Sequence, residues 1–246
     1  MEDGLTRASE EGTPQGGVLS PLLSNVYLHY VLDLWFKRRF AKSCRGEAHL
    51  YRYADDFLAC FQYREDAERF LRELKERLEQ FQLEVEASKT KLIPFGRFAP
   101  EAAKRQGGKP ETFDFLGFTH YCGTTRYGCF KVKRRTAKKK YRAKLREMRD
   151  WLRSNRSRLK KGQLLKQTKA RLVGYLNYYA ITDNGKLCQS FRHQVVWLLF
   201  SWMNRQSQRR SYTWRQMHDA LAWVGWPEVR IKHNLDPFRR VGPKLG

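Results

Sequence analysis

Two adjacent carboxylates, Asp55 and Asp56, stand between short aromatic and apolar runs at 49–53 and 57–61. Such flanks read as two strands joined by a tight turn. In a half-buried hairpin neighbouring carboxylates repel each other, and burial drives one or both towards protonation. A hard divalent cation removes that conflict, because Mg2+ takes carboxylate oxygens and keeps positions open for phosphate and water. A metal held this way stabilises both the attacking and the leaving oxygen of a phosphoryl transfer. A lone Asp-Asp pair is more often an ordinary turn, since Asp is common there. Its company has to decide.

Upstream, residues 12–17 bring Pro14, which fixes one φ, together with Gly16 and Gly17, which let the backbone approach another molecule closely. A glycine loop feeding a helix offers free N–H groups to phosphate. Downstream, Arg134, Arg135, Lys138, Lys139, Lys140 and Arg142 open a long basic stretch. Residues 1–100 hold 15 Lys+Arg against 16 Asp+Glu, a net of −1, whereas residues 101–246 hold 34 against 9, a net of +25. Acids that would interleave a merely soluble lysine-rich face are scarce there. The charge points to a polyanion, nucleic acid first.

The 246 residues suffice for one large domain or two small ones, and 41% hydrophobic content can build a core. The longest apolar run, 195–200, is far too short to span a membrane, and no signal peptide follows Met1. Five scattered cysteines without close spacing predict reduced thiols and a cytoplasmic protein. The six histidines are widely spaced and read as structural or surface residues.

The elements that must position these residues follow from periodicity. Leu19, Leu22, Leu23, Val26, Tyr27, Tyr30, Val31 and Leu34 recur at three- and four-residue steps, an amphipathic helix. Residues 37–47 read as a basic loop, 65–81 as a helix, and 83–85 and 91–95 as strands around Ser88-Lys89-Thr90-Lys91. Residues 96–112 read as a loop and 113–118 as a hairpin arm. From 131 the stripe Tyr141, Leu145, Met148, Leu152 marks a helix with cations on its other faces, followed by helices over 162–179, 191–203 and 213–224. The boundary is placed between His120 and Lys131. The fold class expected is α+β: antiparallel sheet with helices over 1–122, then an α-helical domain over 131–246.

Thr13-Pro14-Gln15-Gly16-Gly17, Tyr53-Ala54-Asp55-Asp56, Lys89-Thr90-Lys91 and Phe115-Leu116-Gly117-Phe118 occur in one order. Residues 12–118 thereby resemble the second half of the palm of reverse transcriptases encoded by group II introns. Residues 134 to about 217, with Gly174-Tyr175-Leu176-Asn177-Tyr178-Tyr179, look like their thumb and maturase region. The resemblance implies that Asp55 and Asp56 hold catalytic Mg2+ and that Tyr53 and Ala54 sit by the primer end and incoming deoxynucleoside triphosphate. It places Pro14, Gln15 and Gly16 against the nascent base pair and template. It makes Lys89 the candidate proton donor near the triphosphate, with Lys91 as fallback, and Phe115, Leu116, Gly117 and Phe118 the primer grip. The chemistry implied is DNA synthesis on an RNA template from a DNA primer, organised by two Mg2+ ions. One further aspartate of the family's site lies upstream of the Pro-Gln-Gly loop, where this chain offers only Asp3 in a polar, turn-like segment. A truncated chain, inactive alone and needing an upstream fragment or second chain, is therefore expected.

Two other readings remain open. The basic helical half resembles the part of these proteins that grips group II intron RNA, which makes an RNA-binding splicing cofactor the alternative. Tyr175, Tyr178 and Tyr179 would then pack or stack, core packing being favoured by their helical spacing. The other is a remnant of a degraded mobile element.

Overall fold

In a computed structural model, residues 19–205 and 212–236 are described. The fold is α+β, with helices and two small antiparallel sheets. Two compact units divide at Ile93 and Pro94, earlier than the boundary expected between His120 and Lys131.

In the first unit, α1 (Ser20–Leu28) runs on through π-helical turns His29–Asp33 and Phe36–Phe40 and a 3-10 turn, Ala41–Ser43. The expected basic loop at 37–47 is thus helical through Ser43. The wide turns rotate the apolar face out of step with the sequence pattern. Val31, Leu32, Phe36 and Phe40 are buried, whereas Leu19, Leu22, Leu23, Val26, Tyr27 and Tyr30 are all exposed, 43–65%. The amphipathic stripe was expected on the core; only its C-terminal end reaches it. β1 (Ala48–Tyr53) and β2 (Asp56–Phe61) form a two-stranded antiparallel hairpin. α2 (Arg64–Glu79) covers one face of this unit's core with Phe70, Leu74 and Leu78, as its 3–4 periodicity predicts. Phe36, Phe40, Phe61 and Phe70 meet ring to ring, with centroids 5.1–6.2 Å apart, mostly tilted or edge-on. The strands expected at 83–85 and 91–95 do not form; that stretch is irregular, without ladder partners. Apolar residues there, such as Leu83 and Val85, pack singly onto the core instead.

The second unit starts with α3 (Ala99–Arg105), a short helix with Pro100 in its first turn, inside the expected loop. β3 (Phe113–Phe115), β4 (Phe118–Thr124) and β5 (Phe130–Thr136) form an antiparallel meander. Basic residues 131–135, expected to lead a helix, lie on β5; the helix begins after Ala137. α4 (Lys138–Asn155), α5 (Lys161–Tyr179), α6 (Gly185–Met203) and α7 (Trp214–Trp223) agree with the expected helices, α6 starting earlier. Leu152, Leu172, Val195, Leu199 and Met217 are fully enclosed where these helices meet. Asn184, only 1% exposed, ties sheet to helices: its Nδ2 donates to Thr136 Oγ1 and to the Tyr179 carbonyl, and its Oδ1 accepts from Thr136 N, all at 2.8–2.9 Å. The five cysteines form no disulfide. No helix among the described residues is long and apolar enough to cross a membrane.

Candidate active site and basic surface

Tyr53 pairs with Asp56, so Ala54 and Asp55 alone turn the chain between β1 and β2. Ala54 takes φ 54°, the left-handed region that glycine or asparagine normally fills in a two-residue hairpin. That conformation costs an alanine about 1–2 kcal/mol. Strand alternation sends Ala48, Leu50, Phe57, Ala59 and Phe61 to the core and leaves Tyr51 and Tyr53 on the open face, 56% and 67% exposed. Asp55 and Asp56 are both exposed rather than half-buried. Desolvation therefore gives no reason for a counter-ion here, and the metal argument rests on adjacency and donor type.

One residue holds the turn in place, and no motif named it. The Arg52 guanidinium donates from Nε and Nη2 to Asp33 Oδ1 and Oδ2 at 2.8 and 2.7 Å, and from Nη1 to Asn25 Oδ1 and the Ala54 carbonyl, both at 2.8 Å. It thus joins the turn to α1 and the π-helical segment. Hydrogen bonds from Arg52 hold the Asp33 carboxyl below the usual carboxylate range, against the opposing effect of its burial. The sequence did carry a signal: Arg52 falls on the inward register of Ala48 and Leu50, where a cation requires an anion.

Lys89 closes a turn in the same unit, its ammonium 2.5 Å from Glu86 Oε2. The Glu86 hydrogen bond raises the lysine above its ordinary range, with smaller contributions from the charges of Asp55 and Asp56. Hence Lys89 lies within electrostatic reach of the carboxylate pair, but its nearest anion is Glu86. Lys91 is exposed on the following segment. Pro14, Gln15 and Gly16, and Asp3, lie outside the described residues.

The fit of a divalent cation can be judged from the donors. Asp55 and Asp56 supply oxygen ligands only, and neither carboxylate accepts a hydrogen bond among the described residues, so a hard cation meets no competing donor. Among the described residues no group of three His, Cys, Asp or Glu could hold a metal. The pair fits as two ligands of a site that water, phosphate or other protein oxygens complete.

In the second unit Phe115 and Phe118 flank a two-residue turn in which Leu116 (φ 49°) and Gly117 (φ 78°) are both left-handed. The Tyr178 hydroxyl donates to the Leu116 carbonyl at 2.8 Å, and Phe118 stacks on Tyr178. A side chain at Gly117 would press on the Tyr179 hydroxyl at 3.2 Å. The hairpin tip is therefore docked on α5. Tyr175 and Tyr179 are core residues, 6% exposed, and Tyr178 is half-exposed. Burial pushes the Tyr175 hydroxyl up.

Lys138, Lys139, Lys140 and Arg142 stand exposed on the first turns of α4, and Arg135, also exposed, lies near the end of β5 over the ring of Tyr121; Arg134 is partly buried. This helix start has Ala137 as its N-cap, no side-chain cap and no acid in its first turn. Cations at a helix N-terminus oppose its dipole. An anion bound there relieves both the charges and the unmet N–H groups.

Residues 2–120 match the model of the family described as reverse transcriptase (RNA-dependent DNA polymerase). That segment, which contains the carboxylate turn, Lys89 and the Phe115–Phe118 hairpin, is similar to that family. Comparison with curated proteins gives no match.

Proposed function

We propose that this chain is part of an RNA-directed DNA polymerase of the kind encoded by group II introns, with Asp55 and Asp56 as its Mg2+ ligands. The observation that carries the reading is the coincidence of the 2–120 family match with adjacent, uncommitted carboxylates at the tip of an antiparallel hairpin. When bound, Mg2+ supplies charge neutralisation for attack of a primer 3′-hydroxyl on the nucleotide α-phosphate. The chain's own residues have simpler tasks. Arg52 and Asp33 fix the turn, Tyr53 offers an open ring to primer or nucleotide, and Lys89 exchanges Glu86 for triphosphate oxygens. Phe115, Leu116, Gly117 and Phe118 act as the primer grip, presented by a turn locked to Tyr178. In this division residues 1–122 form part of the palm, and residues 131–246 the thumb and maturase region. The uncapped, cationic start of α4 favours a second role on the same chain: gripping intron RNA as a splicing cofactor.

The test reads metal directly. Mn2+ binding followed by electron paramagnetic resonance should be weak and saturable in the chain and lost in Asp55→Ala and Asp56→Ala. Primer extension on an RNA template that survives Asp55→Ala, or Mn2+ binding indifferent to both substitutions, would overturn the site.

A further inference from the structure

α6 and α7 enclose a cleft of about 450 Å3 that the reading above leaves unused, within the range of small-ligand sites, about 300–1,000 Å3. α6 contributes His193 and Trp197, four residues apart, and α7 contributes Trp214 and His218 at the same spacing, so each pair shares a helix face. The segment after α7 closes the end with Trp226 and Glu228.

The cleft is held by specific bonds. Arg192 Nε donates to the Pro227 carbonyl at 2.8 Å, which clamps the closing segment to α6. Gly225, at φ 62°, turns the chain back, and Trp226 N then donates to the Leu221 carbonyl at 3.0 Å. Phe200 stacks on Trp214 at 3.9 Å between centroids and 12° between planes, which fixes that indole. Even so, Trp214 stays 44% and Trp197 52% exposed. The Trp226 indole N–H, in the wall, finds no acceptor among the described residues.

Exposed indoles on two helices, in the part of the chain that carries its excess of cations, suit a nucleobase, whose π-face stacks on an aromatic ring whatever its identity while its phosphate is drawn by charge. Identity has to come from an edge. Among the described residues Glu228 is the one acid lining the cleft, and a carboxylate only accepts. Guanine presents two neighbouring donors, N1–H and N2–H, that match two carboxylate oxygens. Adenine presents one donor beside a ring acceptor, which would face a carboxylate lone pair. The present partner of Glu228 is Arg230 at 3.1 Å, with both side chains well exposed. Such a pair is worth little and is readily exchanged.

We propose that this cleft binds one unstacked guanine of single-stranded RNA, stacked on Trp197 and Trp214, with Glu228 reading its Watson–Crick edge. The site belongs to the second unit and uses neither Asp55 nor Asp56, so it stands or falls separately from polymerase chemistry.

Isothermal titration of the full chain with guanosine and adenosine monophosphate tests it, since the two probes carry the same phosphate. Guanosine monophosphate should bind about tenfold or more tightly than its adenosine counterpart. Trp197→Ala should weaken both by about tenfold or more, with circular dichroism checking the helices. Glu228→Gln should weaken the guanine nucleotide and remove or invert the preference, because the amide offers adenine one acceptor and one donor. Equal affinities in the unsubstituted chain, no binding of the guanine nucleotide, or a preference that survives Glu228→Gln would each overturn the proposal. Should Trp197→Ala unfold, Glu228→Gln at its exposed position decides alone.

Discussion

Arg52 uses three guanidinium nitrogens at once, two on Asp33 and one shared between Asn25 and the Ala54 carbonyl. With side-chain exposures of 12% and 28%, the Arg52–Asp33 pair is neither a solvated surface bridge nor a fully buried one. Charge-assisted bonds in such a setting contribute about 1–3 kcal/mol. Asp33→Asn should lower the stability of the first unit by that amount at pH 7. The pH dependence has a definite sign. Because Arg52 depresses the Asp33 carboxyl in the folded state, the contribution is complete above the unfolded value of about 3.9. It is lost as pH falls through the lower folded value. Urea midpoints of the two proteins should therefore differ at neutral pH and converge in acid; an equal gap at pH 7 and pH 3 would remove the linkage. Asp55 and Asp56 were legible in the sequence because they are adjacent. The Arg52–Asp33 pair was hidden by a sequence separation of 19, and only the inward register of Arg52 hinted at it.

Between residues and units, the two hairpins show what local pattern encodes. The first turn falls where the sequence places it, whereas the second breaks the arm expected over 113–118 at Leu116 and Gly117; each has a residue in the left-handed region that turn chemistry disfavours, Ala54 in one and Leu116 in the other. Conformations of this kind persist where the surroundings over-determine them. At the first turn the Arg52–Ala54 bond does so, and at the second the Tyr178–Leu116 bond. Relief of the strain is measurable. Ala54→Gly should raise stability by about 0.5–1 kcal/mol, the left-handed penalty less the extra freedom of glycine in the unfolded chain. Ala54→Val should lower it, since a β-branched residue tolerates positive φ worst. If denaturant midpoints fell for Ala54→Gly, strain at this turn would be refuted. Helices with a sustained 3–4 stripe, α2, α4, α5, α6 and α7, were legible for the same reason the first turn was: neighbours in sequence decide them. The first helix misled because π-helical turns shift its phase, which no periodicity of 3.6 anticipates. The apolar runs at 83–85 and 91–95 misled because a strand needs a partner, and the two sheets are completed by other segments.

On the scale of the whole chain, the division of charge outweighs any single contact. The first hundred residues are nearly neutral and the remainder carries +25. A polyanion would be met mainly by this part of the chain, where the exposed Lys138, Lys139, Lys140 and Arg142 crowd an uncapped helix start. Each cation that neutralises a phosphate releases counterions, so the logarithm of affinity falls with the logarithm of salt by about 0.7–0.9 per contact. Replacing Lys138, Lys139 and Lys140 together by Ala should reduce that slope by about 2 for a structured RNA. It should leave folding intact, because all three side chains are exposed and alanine is the better helix former. Fluorescence anisotropy of a labelled RNA across a salt series reads the slope directly. Weaker binding with an unchanged slope would mean that the lysines shape the surface without touching phosphate. An unchanged affinity would move the contact to other cations of the same unit. A reduced slope fixes α4 as the phosphate-bearing edge, and its helix dipole, opposed in the free chain by its own lysines, then favours the bound anion.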